Sequence, residues 1–153
     1  MKRPGQGFTL IELVLVIVVI GVLAALLLPR MSSLQREARI SLLEATRNQL
    51  RSSLQVLHGK ALAQGQQNNP AFVVTLEPGP PAVTVTLRYG YPDANDDANL
   101  LVLFDDLQPR WAIQAKDDTI IMSLDGRLAC ALVYQSAAAP GGRASVSLRQ
   151  DDC

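Results

Sequence analysis

The chain has 153 residues, and its 14 Lys and Arg are balanced by 14 Asp and Glu, so the formal net charge is zero. That length allows one domain, or a small domain with an appendage, and the neutral balance gives no electrostatic footprint for nucleic acid. Charged residues make up only 18%, below the roughly 25% of an average soluble domain, and mean hydropathy is +0.16, so apolar residues must be concentrated somewhere.

They are concentrated in residues 8–28, FTLIELVLVIVVIGVLAALLL, interrupted only by Thr9, Glu12 and Gly21. About 20 apolar residues, as a helix rising ~1.5 Å per residue, are enough to cross a ~30 Å hydrocarbon core. Three readings compete: a cleaved secretory signal, an ordinary membrane anchor, and a segment that is both anchor and assembly element. Secretory cleavage fits poorly, because the small residues Ala24 and Ala25 are followed by three more leucines and the apolar core runs past them. An anchor fits the length but leaves Glu12 unexplained. An acid at the centre of a membrane helix costs roughly 2.5–3.5 kcal/mol, against about 0.3–0.6 kcal/mol returned by each strong apolar residue, so insertion is still expected. Glu12 lies one turn in from Phe8. It is either an acid tolerated near the interface by snorkelling or a carboxylate kept for a partner.

Before this run stands a short basic leader, MKRPGQG, with Lys2 and Arg3 and a closing Gly7. The junction Gly7-Phe8-Thr9-Leu10-Ile11-Glu12 resembles the prepilin motif of type IV pilins and of the related secretion pseudopilins. The resemblance implies that prepilin peptidase removes residues 1–7 by cutting between Gly7 and Phe8, and that the same enzyme N-methylates the new amino terminus at Phe8. Unlike a secretory cut, this one leaves the apolar helix on the mature protein. The resemblance also gives Glu12 a partner, the charged Phe8 amine of a neighbouring subunit. In a low-dielectric surrounding, two such charges attract far more strongly than in water.

After Leu28 and Pro29 the sequence becomes amphipathic. Met31, Leu34, Ala38, Leu42, Ala45, Leu50, Leu54, Leu57 and Ala61 form an apolar stripe, and Arg36, Glu37, Arg39, Glu44, Arg47, Arg51 and Gln55 lie opposite. Residues 8–28 and 29–63 are expected to run on as one helix of about 54 residues, roughly 80 Å long. Gly21 and Pro29 weaken it, and a kink or locally melted stretch is expected between them. The same break is implied by the resemblance, since pilins commonly carry Gly and Pro here. Basic residues flank the apolar run on both sides, so the positive-inside rule leaves topology open.

Residues 64–70 (QGQQNNP) read as a polar linker into a β-rich head, 64–153. Strands are predicted over 72–76, 82–89, 111–115, 119–124, 128–135 and 144–148, with Asp125-Gly126 as a hairpin turn and 98–107 as a short helix or loop. Alone, such a head hides little apolar area, so the helix stripe is expected to complete its core. Cys130 and Cys153, the two cysteines, are either a staple suited to an oxidising compartment or a pair of free thiols. As a staple they would close a loop contributing ~3 kcal/mol. Type IV pilins close their carboxy-terminal region with such a disulfide, so the resemblance implies the staple.

The head also resembles the mannose-sensitive haemagglutinin (MSHA) pilins. The matching residues are Lys60-Ala61-Leu62 with Gly65, the turn Tyr89-Gly90-Tyr91-Pro92, Cys130-Ala131-Leu132-Val133-Tyr134, and Arg36 and Arg39 after Leu34-Gln35. The implied protein is an α+β, pilin-like subunit. It is held first by a single pass in the inner membrane with its head in the periplasm, handled there by the pilus assembly machinery, and then polymerised with copies of itself into an extracellular, adhesive filament. A minor pilin, a type II secretion pseudopilin and a non-polymerising single-pass periplasmic binding module are the alternatives.

No catalytic set can be assembled. His58 is the single histidine and reads as a solvated helix residue, and Walker, dinucleotide and HExxH motifs are missing. Two cysteines and one distant histidine do not make a metal site. The acidic group Asp93, Asp96 and Asp97 lacks the spacing of a calcium loop and reads as solvated. No cofactor is expected.

Overall fold

A computed structural model describes residues 8–104 and 110–153, with the side chains of residues 27–32 left out of the description. The leader 1–7, including Gly7, and part of the predicted 98–107 segment lie outside the described residues. The fold is α+β. One long helix, α1 (Leu10–Ala63), precedes a three-stranded antiparallel sheet of β1 (Phe72–Glu77), β2 (Val83–Arg88) and β3 (Tyr91–Pro92). A one-turn helix, α2 (Ala98–Leu101), leads to a four-stranded antiparallel meander of β4 (Trp111–Lys116), β5 (Thr119–Leu124), β6 (Arg127–Gln135) and β7 (Ser145–Gln150). The chain divides into two compact units between Ala38 and Arg39, so the second unit includes the carboxy-terminal part of α1.

In the second unit α1 supplies one wall of the core. Leu43, Leu50 and Leu54 pack with Ile120, Met122, Leu124, Leu132 and Tyr134 of the meander. One to two turns further on, Leu57 and Ala61 pack with Val74, Val85 and Leu87 of the smaller sheet. A single helical face thus serves two sheets in succession, as the 3.6-residue period allows. The stripe differs from the predicted one at its start. Leu43 and Thr46 are buried where Ala45 is exposed and Leu42 only half-buried. Thr46 is tolerated inside because its hydroxyl donates to the Leu42 carbonyl at 2.9 Å.

The helix runs as one element from Leu10 to Ala63, through Gly21 and Pro29. Leu26, Leu27, Leu28, Arg30 and Met31 around Pro29 are strong helix formers, and hydrogen bonds on both flanks can outlast the loss of one donor.

Three left-handed two-residue turns close three of the hairpins: Tyr89-Gly90 between β2 and β3, Asp117-Asp118 between β4 and β5, and Asp125-Gly126 between β5 and β6. Both residues of each turn have positive φ, as the twist of tight hairpins demands. The two sheets are tied by side chains. Arg88 of β2 pairs with Asp118 at the meander's first turn, and Asn95 donates to the same carboxylate at 2.8 Å. Inside, the Tyr134 hydroxyl donates to the Pro92 carbonyl at 2.7 Å. Burial, with help from Asp93 and Tyr91, pushes that hydroxyl far above its ordinary range, so it stays neutral and remains a donor.

Asp125 links the meander to α1. Arg110 Nε and Nη2 donate to its two oxygens at 2.8 and 2.6 Å, and Arg39 Nε approaches at 3.4 Å. Arg39 Nη1 also donates to the backbone oxygen of Cys153 at 2.7 Å, so one guanidinium joins the helix, a turn and the chain end. The hydrogen bond from Arg110 holds the Asp125 carboxyl below its ordinary range; desolvation opposes this, and the charges of Arg110, Arg39 and Arg127 reinforce it. A depressed carboxyl stabilises the fold above the ordinary carboxylate range, and that contribution fades as pH falls through the folded value. Asp125→Asn tolerates the left-handed turn but lacks the charge. Its urea midpoint should fall below wild type by the largest margin at about pH 7, with the gap closing toward about pH 2. A gap independent of pH would exclude the charge as the cause.

Candidate assembly site and the head

The amino-terminal end of α1 begins at a cap. Thr9 precedes the helix, the Glu12 N–H donates to its Oγ1 at 3.4 Å, and the Leu13 N–H donates to its carbonyl at 3.2 Å. Thr9-x-x-Glu12 has the spacing of a capping box, a signal legible in the sequence. The acid in the first turn also complements the helix dipole. Glu12 is exposed, and among the described residues its carboxylate has no ion-pair partner.

The helix that follows is apolar on every side. From residue 10 to 26 each large apolar side chain is exposed, ranging from 40% at Val16 to 80% at Leu10, and Phe8 is 74% exposed. A helix that is hydrophobic all round belongs in lipid or inside an assembly. Among the described residues no helix is long and apolar enough to cross a membrane. The run continues in Leu27 and Leu28, whose side chains lie outside the described residues.

In the head, Cys130 and Cys153 form a disulfide, with Cα atoms 4.9 Å apart. Cys130 lies on β6 opposite Gln150 of β7, and both cysteines belong to the meander's core. His58 is not the solvated residue expected. Its ring stacks on Tyr91, with centroids 4.6 Å apart and planes at 11°. Its Nδ1 is buried against Gly90, without a hydrogen-bond partner among the described residues. A Cβ at Gly90 would lie 2.6 Å from that nitrogen, and φ there is +83°, so glycine meets two demands at once. Nothing in the helical periodicity announced this contact, because Tyr91 reaches His58 only once the β2–β3 hairpin has closed.

The acidic group is occupied with local structure. Asp93 Oδ1 accepts from the Asn95 backbone N–H at 3.1 Å and its side-chain amide at 2.9 Å, and Asp96 Oδ1 accepts from the Ala98 N–H at 3.0 Å. Among the described residues no group of acids, cysteines or histidine is placed to hold a metal ion.

Comparison with known proteins agrees with this geometry. Residues 2–28 match the prokaryotic N-terminal methylation motif. The chain is 27% identical to the type IV major fimbrial protein FimA of Dichelobacter nodosus, over 93% of this chain and 97% of the relative. A second FimA from that organism is 30% identical over 48% of this chain and 44% of its own length. No solved structure matches the chain. The motif thus covers the amino-terminal segment, and the similarity to FimA runs over nearly the whole chain.

Proposed function

We propose that the chain is the polymerising subunit of a type IV pilus. Prepilin peptidase would cut between Gly7 and Phe8 and methylate the Phe8 amine. The mature subunit would wait as a single-pass protein of the inner membrane with its head in the periplasm. It would then join an extracellular filament through residues 8–28, delivered by the inner-membrane assembly machinery. The observation that carries this reading is the Gly7-Phe8 junction with Glu12 four residues on, leading into a helix whose apolar side chains are exposed on every side. The disulfide suits a head that matures in an oxidising compartment. Similarity to a major fimbrial protein along almost its full length favours a major subunit over a minor pilin or pseudopilin.

The MSHA-like character and a role in surface attachment are the finer part of the proposal. They are supported by the short matches at Lys60-Ala61-Leu62, Tyr89-Gly90-Tyr91-Pro92 and around Cys130, and by the general tendency of solvent-facing loops to carry binding. Within this scheme Gly21 and Pro29 would be where the helix loosens on assembly. Mass spectrometry of the mature protein should find N-methylated Phe8 as its first residue. A mature chain that still begins at Met1 would replace this reading with that of a non-polymerising membrane anchor.

A further inference from the structure

A cleft of about 740 Å³ opens in the second unit between the carboxy-terminal part of α1, the β2–β3 hairpin and the segment entering β7. Its size lies within the range of ligand sites. Two guanidiniums line it, Arg51 from the helix and Arg143 from the approach to β7. Both are exposed, and neither has an ion-pair partner among the described residues. No aspartate or glutamate lines the cleft with them.

Several other arginines of the second unit are placed differently. Arg39, Arg88, Arg110 and Arg127 each have a carboxylate within ion-pair distance. Two like charges brought to one concavity from α1 and from the approach to β7, without an acidic residue in the lining, leave room for an anion. Guanidinium forks match a pair of oxygens of a carboxylate or phosphate. The stacked rings of His58 and Tyr91 form part of the wall, and Gln55 and Ser145 add neutral hydrogen-bonding groups.

We propose that this cleft binds a small ligand through an anionic group, carboxylate or phosphate, held between Arg51 and Arg143. The site lies wholly in the second unit, residues 39–153, and does not depend on polymerisation.

The test titrates the full chain in detergent with galacturonate, inorganic phosphate and neutral galactose, followed by calorimetry. Both anions should bind and galactose should not. Affinity for galacturonate about tenfold above that for phosphate identifies an organic acid that also uses the neutral wall, whereas equal affinities identify the anion alone; either result supports the site. Arg51→Gln with Arg143→Gln should weaken both anions by at least about tenfold, while Arg51→Lys with Arg143→Lys keeps part of the affinity. Arg127→Gln with Arg149→Gln removes the same net charge elsewhere and should change nothing. Failure of both anions to bind, galactose binding as well as galacturonate, or equal losses from the two glutamine pairs would each overturn the proposal. Because these arginines are exposed, the variants should keep the wild-type circular dichroism and an intact disulfide.

Discussion

Cells carrying Glu12→Val should accumulate processed, membrane-bound subunits and yield no filaments in a surface-shear preparation. The proposed pairing of the Glu12 carboxylate with the Phe8 amine of a neighbour operates where water is excluded. There, removing one partner leaves the other charge uncompensated, at a cost of several kcal/mol per subunit. A filament repeats that cost at every step, so yield should drop by well over about tenfold. Insertion should survive or improve, because valine lacks the transfer cost of an acid. Glu12→Gln should fail like valine, since the amide keeps the shape and loses the charge.

The cap at Thr9 offers a competing explanation, in which Glu12 matters because it starts the helix. The observed bond, however, runs from the Glu12 backbone N–H to Thr9 Oγ1, and both substitutions retain that N–H. Thr9→Ala removes the cap, at a cost of about 0.5–2 kcal/mol, and keeps the charge. Filaments should persist in Thr9→Ala. Their loss there, to the same degree as in Glu12→Val, would assign the effect to helix initiation.

The second large effect belongs to the head. Replacing Cys130 and Cys153 together by alanine should lower the unfolding free energy of the head by about 3 kcal/mol, because the unfolded chain is released from a 23-residue closure. Both half-cystines are core residues, Cys130 fully buried and Cys153 6% exposed, so lost packing adds to the loss. The bridge also keeps the chain end where Arg39 donates to it. Urea unfolding of the full chain in detergent, with and without reductant, measures this directly. Reduced wild type should unfold close to the alanine variant, and a midpoint unmoved by reduction would contradict the expectation.

Much of this architecture was legible because its signals are local. Short segments of alternating or apolar residues bounded by turn residues located every strand of the meander to within two residues, and Asp125-Gly126 announced its own turn. The turn at Asp117-Asp118 was not named because two aspartates carry a weaker left-handed preference than a glycine pair. Tyr91-Pro92 read as a turn, although it forms a two-residue strand against Leu87 and Arg88; a proline is admitted there because the strand is at the edge. The shift of the helix stripe from Ala45 to Leu43 and Thr46 followed from a polar residue that satisfies itself within its own helix. The candidate assembly residues were legible as a motif, for the leader, the aromatic and the acid stand within eleven positions from Lys2 to Glu12. The cleft was not, because Arg51 and Arg143 are 92 positions apart in the sequence and share it only after three elements have folded together.

The even exposure of residues 10–26 has a geometric consequence. A helix with one greasy stripe tells its neighbour which way to turn, whereas a uniformly greasy rod is azimuthally degenerate: rotating it about its axis changes the buried area little. In a bundle of such rods, oil-like cohesion would hold the subunits together but leave their rotation almost free. Orientation would then have to come from features that break the symmetry, the lone carboxylate at one end and the folded head at the other. Adding or removing a methylene along the rod should be tolerated by such a filament, and moving its one charge a third of a turn should not.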